Sequence, residues 1–157
     1  MAHPPLPLYA QHEAKLSSQP SGLTSDITNT ETSASSLIIS FHGNAAQLTQ
    51  GFRPWHYHSL TSLHSRYHLL TLDYRGFGLS TGSPTEPGLI RDAEAAVHWA
   101  VRTAGVPPSR IVLLGHSLGT AVAAAAAEAF TLRQGWDFAG VVLVAGFSSL
   151  PDMLSGP

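Results

Sequence analysis

The amino-acid sequence predicts a doubly wound α/β fold built on a mostly parallel sheet. Four short apolar runs recur along the chain, and stretches with the helical spacing of apolar residues separate them. An alternation of this kind, β-α-β-α-β-α-β, is typical of a parallel sheet that helices cover on both sides. The length of 157 residues fits about one domain with a core of its own.

Four segments are the strand candidates. They are SLIISF at 36–41, HLLTLDY at 68–74, RIVLLG at 110–115 and GVVLVAG at 140–146. Each is apolar nearly throughout rather than alternating, which is the pattern of strands buried on both faces. We therefore expect helices to cover all four strands.

Three segments are expected to be helical. Residues 85–105 carry apolar residues at helical spacing, with Pro87 near the start and Gly105 just past the end. Residues 118–132 form an alanine-rich helix, whose small side chains let it lie close against the sheet. Residues 54–65 complete the set, so each pair of successive strands is joined through a helix.

The composition is that of a globular chain. Hydrophobic residues make up 43% of it and charged residues 11%, with a net charge of -2. These values argue against disorder, and so few Lys and Arg leave no basic stripe for nucleic acid. The absence of cysteine excludes disulfides and thiolate metal sites. No apolar run approaches the length of a membrane span, so we expect a soluble chain, with the cytoplasm favoured and membrane association of a longer form left open.

A serine lies between two glycines where the third predicted strand meets the third predicted helix. The stretch IVLLGHSLGTAVA places Ser117 between Gly115 and Gly119. In a nucleophile elbow the flanking glycines are needed because a Cβ there would collide with the neighbouring strand and helix. The helix that begins at this point presents its dipole and free N–H groups to the charge that forms during attack. The pattern predicts that Ser117 is a catalytic nucleophile.

A second motif, His-Gly-Asn-Ala, follows the first predicted strand. Acyl transfer needs two backbone N–H donors around the developing oxyanion, one from the residue after the nucleophile and one from the loop after an earlier strand. The amides of Leu118 and Asn44 are so placed, and Gly43 would let the backbone approach the substrate. The alternative interpretation is that HGN is only a turn at the end of a strand.

The segments FHGNA, LDYRGFGLSTGSPTE and LLGHSLGTAVA, in this order and at this spacing, resemble the α/β-hydrolase superfamily. The most similar branch contains the lysophospholipid and monoacylglycerol lipases with an α/β-hydrolase domain, and similar serine esterases and palmitoyl-thioesterases. The resemblance implies the α/β-hydrolase fold, with the strands ordered second, first, third, fourth. It also implies a serine hydrolase of carboxylic ester or thioester bonds, of the lipase or esterase type, which forms an acyl-enzyme on Ser117. Its substrate would be a small acyl ester or lipid-like molecule, and no cofactor is implied.

The domain organisation follows from composition and from this resemblance. Residues 1–36 are rich in Pro, Ser and Thr, so a loop-rich or disordered N-terminal segment is expected there. Residues 37–157 are expected to be the front portion of the hydrolase domain, without the lid and the last strands. In the superfamily the order is nucleophile, acid, histidine, but all nine histidines lie at or before position 116. The acid and the base of the triad are thus not present in this chain.

Neither histidine near the two motifs is favoured as a base. His116 adjoins Ser117, and neighbouring side chains on a sharp turn diverge, so it is expected to be a packing residue. His42 is expected to hold the oxyanion loop by a hydrogen bond. Two hypotheses therefore stay open: a serine hydrolase by resemblance, which this chain alone does not complete, and a non-catalytic truncated protein with the same fold.

Two further patterns are set aside. The histidines at 56, 58, 64 and 68 have no Asp, Glu or Cys among them, and helix and strand geometry scatters them, so no metal site is predicted. RGFGLSTG carries Thr81 where a dinucleotide fingerprint needs its third glycine, and it opens a loop rather than a helix.

Overall fold

A four-stranded parallel sheet organises the part of the chain that the computed structural model describes, which is residues 35–44, 47–62 and 66–146. The elements are β1 (Ser36–Phe41), α1 (Arg53–Ser62), β2 (Tyr67–Thr71), α2 (Glu86–His98), β3 (Ile111–His116), α3 (Leu118–Gln134) and β4 (Gly140–Val144). A π-helical turn at Trp99–Thr103 extends α2, and a 3-10 turn at Pro108–Arg110 precedes β3. The segment predicted to be loop-rich lies, up to position 34, outside the described residues.

The strand order is β2-β1-β3-β4, with every neighbouring pair parallel. This confirms both the predicted fold class and the predicted order. Ile39 of β1 pairs with Leu70 on one side and with Leu113 on the other, so β1 and β3 form the centre of the sheet. The chain crosses from β1 to β2 in one direction across the sheet and from β3 to β4 in the opposite direction. The loops that follow β1 and β3 therefore diverge. Crevices at such topological switch points are where open α/β sheets bind ligands.

The core lies between the central strands and the helices α2 and α3. Apolar side chains from these four elements are buried together, including Phe41, Val97, Leu113 and Ala126, each 0% exposed. On α3 the buried positions are mostly Gly, Ala and Val, which lets this helix approach the sheet closely. The loop after β3 is therefore held by a rigid support.

The expectation that helices cover all four strands is wrong for β4. From Val141 to Val144 the side chains of this strand are 41–51% exposed, although all are apolar. The reason is its place: β4 pairs only with β3 in the described sheet, and α3 packs over part of it. An apolar run thus indicated a strand but could not tell a central strand from an outer one.

The second strand is shorter than its apolar pattern predicts. It ends at Thr71, whereas the pattern extends to Tyr74. Residues Asp73 and Tyr74 have left the sheet, because their side chains bond to the loop after β1 instead.

No helix among the described residues is long and apolar enough to cross a bilayer.

We expect β4 to drive self-association of this chain, because an exposed apolar edge strand is a template for pairing. Val142→Lys places a charge in the middle of the strand and should shift the protein from oligomers towards monomer. Size-exclusion chromatography with light scattering at two protein concentrations measures the shift. Leu132→Lys adds the same charge to α3, where Leu132 is 76% exposed, and should leave the oligomers intact. A wild-type chain that stays monomeric at both concentrations contradicts the prediction.

Candidate active site

Ser117 lies on the turn between β3 and α3, at the switch point of the sheet, and its backbone is strained. Its φ is 50° and its ψ is -119°. A non-glycine residue in such a region costs about 1–3 kcal/mol and persists only where the surroundings hold it. Serine is a favoured helix cap, yet the Ser117 hydroxyl does not cap α3. The fold therefore strains this residue without using its hydroxyl for helix stability.

Three hydrogen bonds hold the Ser117 backbone in place. Its N–H donates to the carbonyl of Val144 at the end of β4, at 2.9 Å. Its carbonyl accepts from the Thr120 N–H at 2.8 Å and from the Thr120 hydroxyl at 2.6 Å. Thr120 is 4% exposed, so this double contact is shielded from water. The sequence interpretation did not single out Thr120.

The two glycines around Ser117 are required by space. A Cβ on Gly115 would overlap the Gly119 carbonyl and lie 2.6 Å from Thr120 Cα. A Cβ on Gly119 would overlap the carbonyl of Phe41 and lie 2.9 Å from the His42 oxygen. The second contact matters most for the site, because it brings the start of α3 against the end of β1. Real Cβ atoms do not approach backbone this closely, so only glycine permits the arrangement.

The loop after β1 lies directly over the turn. A Cβ built on Gly43 would be 3.2 Å from the Cβ of Ser117 and 3.1 Å from Nδ1 of His116. Gly43 is buried and Asn44 is exposed. The structure thus brings together the two motifs that α1, β2, α2 and β3 separate in the sequence. Leu118 is the first residue of α3, where N–H groups have no partner within the helix.

Three side chains anchor this loop. The buried Tyr74 hydroxyl donates to the carbonyl of His42 at 3.1 Å, and burial raises the pKa of Tyr74 far above its usual value. The Asp73 carboxylate accepts the Leu48 N–H at 2.9 Å. The guanidinium of Arg53, at the start of α1, donates to the carbonyl of Gly43 at 3.1 Å. The roles of Tyr74 and Arg53 were not predicted, although a cation on the first residue of a helix is a signal that could have indicated Arg53.

The loop after β2 is in turn braced by an ion pair. Arg75 binds Asp92 of α2 through its side chain at 2.7 Å and through its backbone N–H at 2.9 Å. Burial alone raises the pKa of Asp92, but the bonds and charge of Arg75 outweigh it and hold that pKa below the usual value. Asp73 is carried by the same loop, so this pair supports the contacts to the loop after β1.

His42 is buried, and one of its two ring nitrogens binds the loop that follows it. Its Nδ1 lies 2.8 Å from the Gly43 carbonyl and must donate there, since a carbonyl oxygen has no proton. Its Nε2 lies 3.6 Å from Asp73 Oδ1, too far for a hydrogen bond, and has no bonding partner in the described part of the chain. Burial lowers the pKa of His42, with the charge of Arg53 adding to this effect. The neutral ring packs on Tyr74 and Phe77 at 4.4 and 5.4 Å between centroids.

The other histidine and carboxylates considered for a triad lie on the elements around or after Ser117. The His116 ring lies beside Gly43 and contacts Phe52 at 5.7 Å between centroids. Glu128 lies near the middle of α3, and Asp137 follows its far end. Asp152 is outside the described residues. Among the residues described, no group of three or more metal-ligating side chains comes together.

A protein-family model described as the alpha/beta hydrolase family matches residues 38–157, which is more than half of the chain. The chain is similar to the human protein ABHD12B, with 38% identity over 114 residues that cover 73% of this chain and 30% of that protein. It is also similar to the lysophosphatidylserine lipase ABHD12 of Danio rerio, with 42% identity over 87 residues, covering 55% of this chain and 22% of the lipase. The chain thus matches less than a third of the length of either relative.

Solved structures show the same fold. An alpha-beta hydrolase from Vibrio vulnificus superposes with a TM-score of 0.66 at 26% identity, over 76% of this chain and 41% of that one. A hormone-sensitive lipase from a metagenome library superposes with a TM-score of 0.54 at 25% identity, over 71% of this chain and 37% of that one. The described sheet therefore corresponds to less than half of each solved chain.

Gly119→Ala should destabilise the fold by about 3 kcal/mol or more, because the new methyl group meets backbone that cannot move aside. Gly140→Ala is the matched control, since a Cβ there meets nothing within 4 Å, and it should change stability by less than about 0.5 kcal/mol. Urea unfolding followed by circular dichroism measures both. Equal stability of the two variants would refute the packing argument.

The lowered pKa of His42 predicts a pH dependence of stability. The unfolded chain binds a proton near the ordinary histidine value of 6.5, whereas the folded chain does so only at lower pH. Stability should therefore fall as the pH drops through 6.5 towards the folded pKa, and His42→Asn should remove this part of the slope. Urea unfolding between about pH 7.5 and pH 5 tests it. The control His58→Asn, at an exposed position, should keep the wild-type slope, and a His42→Asn slope equal to wild type would contradict the prediction.

Proposed function

The chain belongs to the alpha/beta hydrolase family, and from that premise we propose that it carries the nucleophile of a serine hydrolase acting on carboxylic ester or thioester bonds. The observation that supports this most is the state of Ser117. Its backbone is strained, and its hydroxyl makes no capping hydrogen bond to the helix that begins beside it. Strain of this kind is concentrated at functional sites, where it pre-organises a reactive group.

In the proposed reaction, Ser117 Oγ attacks the acyl carbonyl while its proton passes to a base. The carbonyl oxygen becomes an oxyanion that accepts hydrogen bonds from the amides of Leu118 and Asn44. Collapse of this intermediate breaks the bond to the alcohol or thiol, which leaves with the proton from the base. Water then attacks the acyl-enzyme in the same way, releasing the carboxylic acid and restoring the serine.

The substrate we propose is a small acyl ester or a lipid-like molecule. Phe52 is 59% exposed and contacts the ring of His116, so an apolar surface adjoins the Ser117 turn. Trp55, one helical turn further along, is 74% exposed. Aromatic residues of this kind suit an acyl chain or a lipid surface. Relatives named as lipases agree with this choice, and membrane association of a longer form of the protein is part of the proposal.

The base is the missing component within these residues. No histidine follows Ser117 in the sequence, and Nδ1 of the buried His42 donates to the Gly43 carbonyl. We propose that residues 37–157 are the front portion of the hydrolase domain and that this polypeptide alone turns over little substrate. The same observation favours a second candidate, a non-catalytic protein that retains the fold.

Added imidazole should distinguish the two candidates. If Ser117 is a nucleophile that lacks only a base, free imidazole should accelerate its labelling by a fluorophosphonate in proportion to imidazole concentration. Without imidazole, loss of a triad member leaves a rate about a million-fold below a complete enzyme. Intact-mass and peptide mass spectrometry measure the rate and locate the adduct.

The control is Ser117→Ala, which should show no imidazole-dependent adduct on the peptide that contains position 117. Labelling of wild-type Ser117 that does not respond to imidazole would mean that a base is already present, and His42→Asn would then be the variant to compare. No adduct at any imidazole concentration would support the non-catalytic candidate and overturn the proposed hydrolase.

A further inference from the structure

Arg53 occupies a position that local electrostatics disfavour. It is the first residue of α1, where the helix dipole is positive, and the first turn of α1 contains no acidic residue. A cation at this end of a helix is destabilising, because it faces the positive end of the dipole. Local choices that conflict with their element are concentrated at sites where another contact compensates.

The contacts described for the Arg53 guanidinium lead to one loop, the loop after β1. Nη1 of Arg53 donates to the carbonyl of Gln47 at 2.8 Å, and Nη2 donates to the carbonyl of Gly43 at 3.1 Å. The carbonyl of Asn44 lies 3.5 Å from Nη2, at the limit of a hydrogen bond. A planar guanidinium can reach separated acceptors at once because its donors form a fixed fork, which an ammonium group lacks.

The Gly43 carbonyl fixes the direction of the next amide. In a trans peptide the oxygen of one residue and the N–H of the following residue point to opposite sides. The Gly43 oxygen is held by two donors, Arg53 Nη2 and His42 Nδ1. Its peptide plane therefore has little freedom to rotate, and the Asn44 N–H is directed away from Arg53.

We propose that Arg53 is a positioning residue that orients the Gly43–Asn44 peptide, so that the Asn44 N–H serves the oxyanion. This inference rests on the proposed function of Ser117. Arg53 acts through the backbone of the loop and does not itself touch the substrate. The planar geometry of the guanidinium, rather than its charge, orients the peptide, because its two Nη groups donate to two separate carbonyls at once.

Arg53→Lys is the discriminating variant, since it keeps the charge and removes the fork. Arg133→Lys is the matched control, because Arg133 is 70% exposed on α3 and forms an ion pair with Glu94 of α2, away from the loop after β1. Two readouts are measured on each protein. The first is fluorophosphonate labelling of Ser117 in the presence of imidazole, resolved into probe affinity and maximal rate. The second is amide hydrogen exchange, resolved into the loop after β1 and the segment of β3 and α3.

For Arg53→Lys we expect the maximal labelling rate to fall about tenfold to a hundredfold, below the loss of a whole oxyanion donor, with probe affinity unchanged. Exchange should rise in the loop after β1 and stay unchanged in β3 and α3. If Arg53 only stabilised the fold, Arg53→Lys would raise hydrogen exchange in β3 and α3 as well as in the loop. It would also change the probe affinity together with the maximal labelling rate. Arg133→Lys should match wild type in both readouts.

The outcomes separate this inference from the proposed function. A lysine variant that labels at the wild-type rate with unchanged loop exchange overturns the positioning role while leaving Ser117 as the nucleophile. A wild-type chain without any imidazole-dependent adduct overturns the hydrolase, and with it the catalytic purpose of Arg53. In that case, raised exchange confined to the loop in Arg53→Lys still supports the anchoring of the loop by the guanidinium.

Discussion

The close approach of α3 to the end of β1 is the constraint on which the rest of the site depends. It exists because Gly119 has no side chain at the point where the helix meets the carbonyls of Phe41 and His42. With the helix at that distance, the turn carrying Ser117 and the loop carrying Gly43 are forced into contact. A bulkier residue would separate the two motifs, and no polar interaction described here could bring them back together, because backbone overlap is far costlier than a hydrogen bond is favourable.

Polar contacts then give the loop its conformation, which packing alone leaves open. The anchors come from different elements: Arg53 from the start of α1, and Asp73 and Tyr74 from the residues after β2. Each anchor binds a different residue of the loop, so each one restrains a part of the loop that the others do not reach. Such support around a binding group is what keeps a site within the small tolerances that catalysis needs.

Much of this arrangement could be predicted from the sequence, and the parts that could not have a common cause. The four strands follow from apolar runs, and their order follows from the resemblance to the α/β-hydrolase superfamily. The glycines around Ser117 follow from a motif whose spacing is a steric requirement. The apolar run alone could not indicate that β4 is exposed, since a run of Val and Leu is the same at the centre and at the edge of a sheet. The strand order implied by the resemblance does place β4 at the edge of the four strands. Arg53 donates to a backbone carbonyl ten residues away in the sequence, and Thr120 donates to a backbone carbonyl inside a tight turn. Sequence patterns describe side chains, so they do not indicate which backbone carbonyls will accept such hydrogen bonds.

The hydrogen bond from the Ser117 N–H to the Val144 carbonyl ties the strained turn to the fourth strand of the described sheet. Strands at the edge of a sheet have fewer neighbours to hold them and open more readily than central ones. Opening of β4 would release one restraint on the backbone of Ser117, the proposed nucleophile, and let it relax towards an ordinary conformation. A further strand paired along β4 would therefore preserve the strained turn without any contact to Ser117 itself.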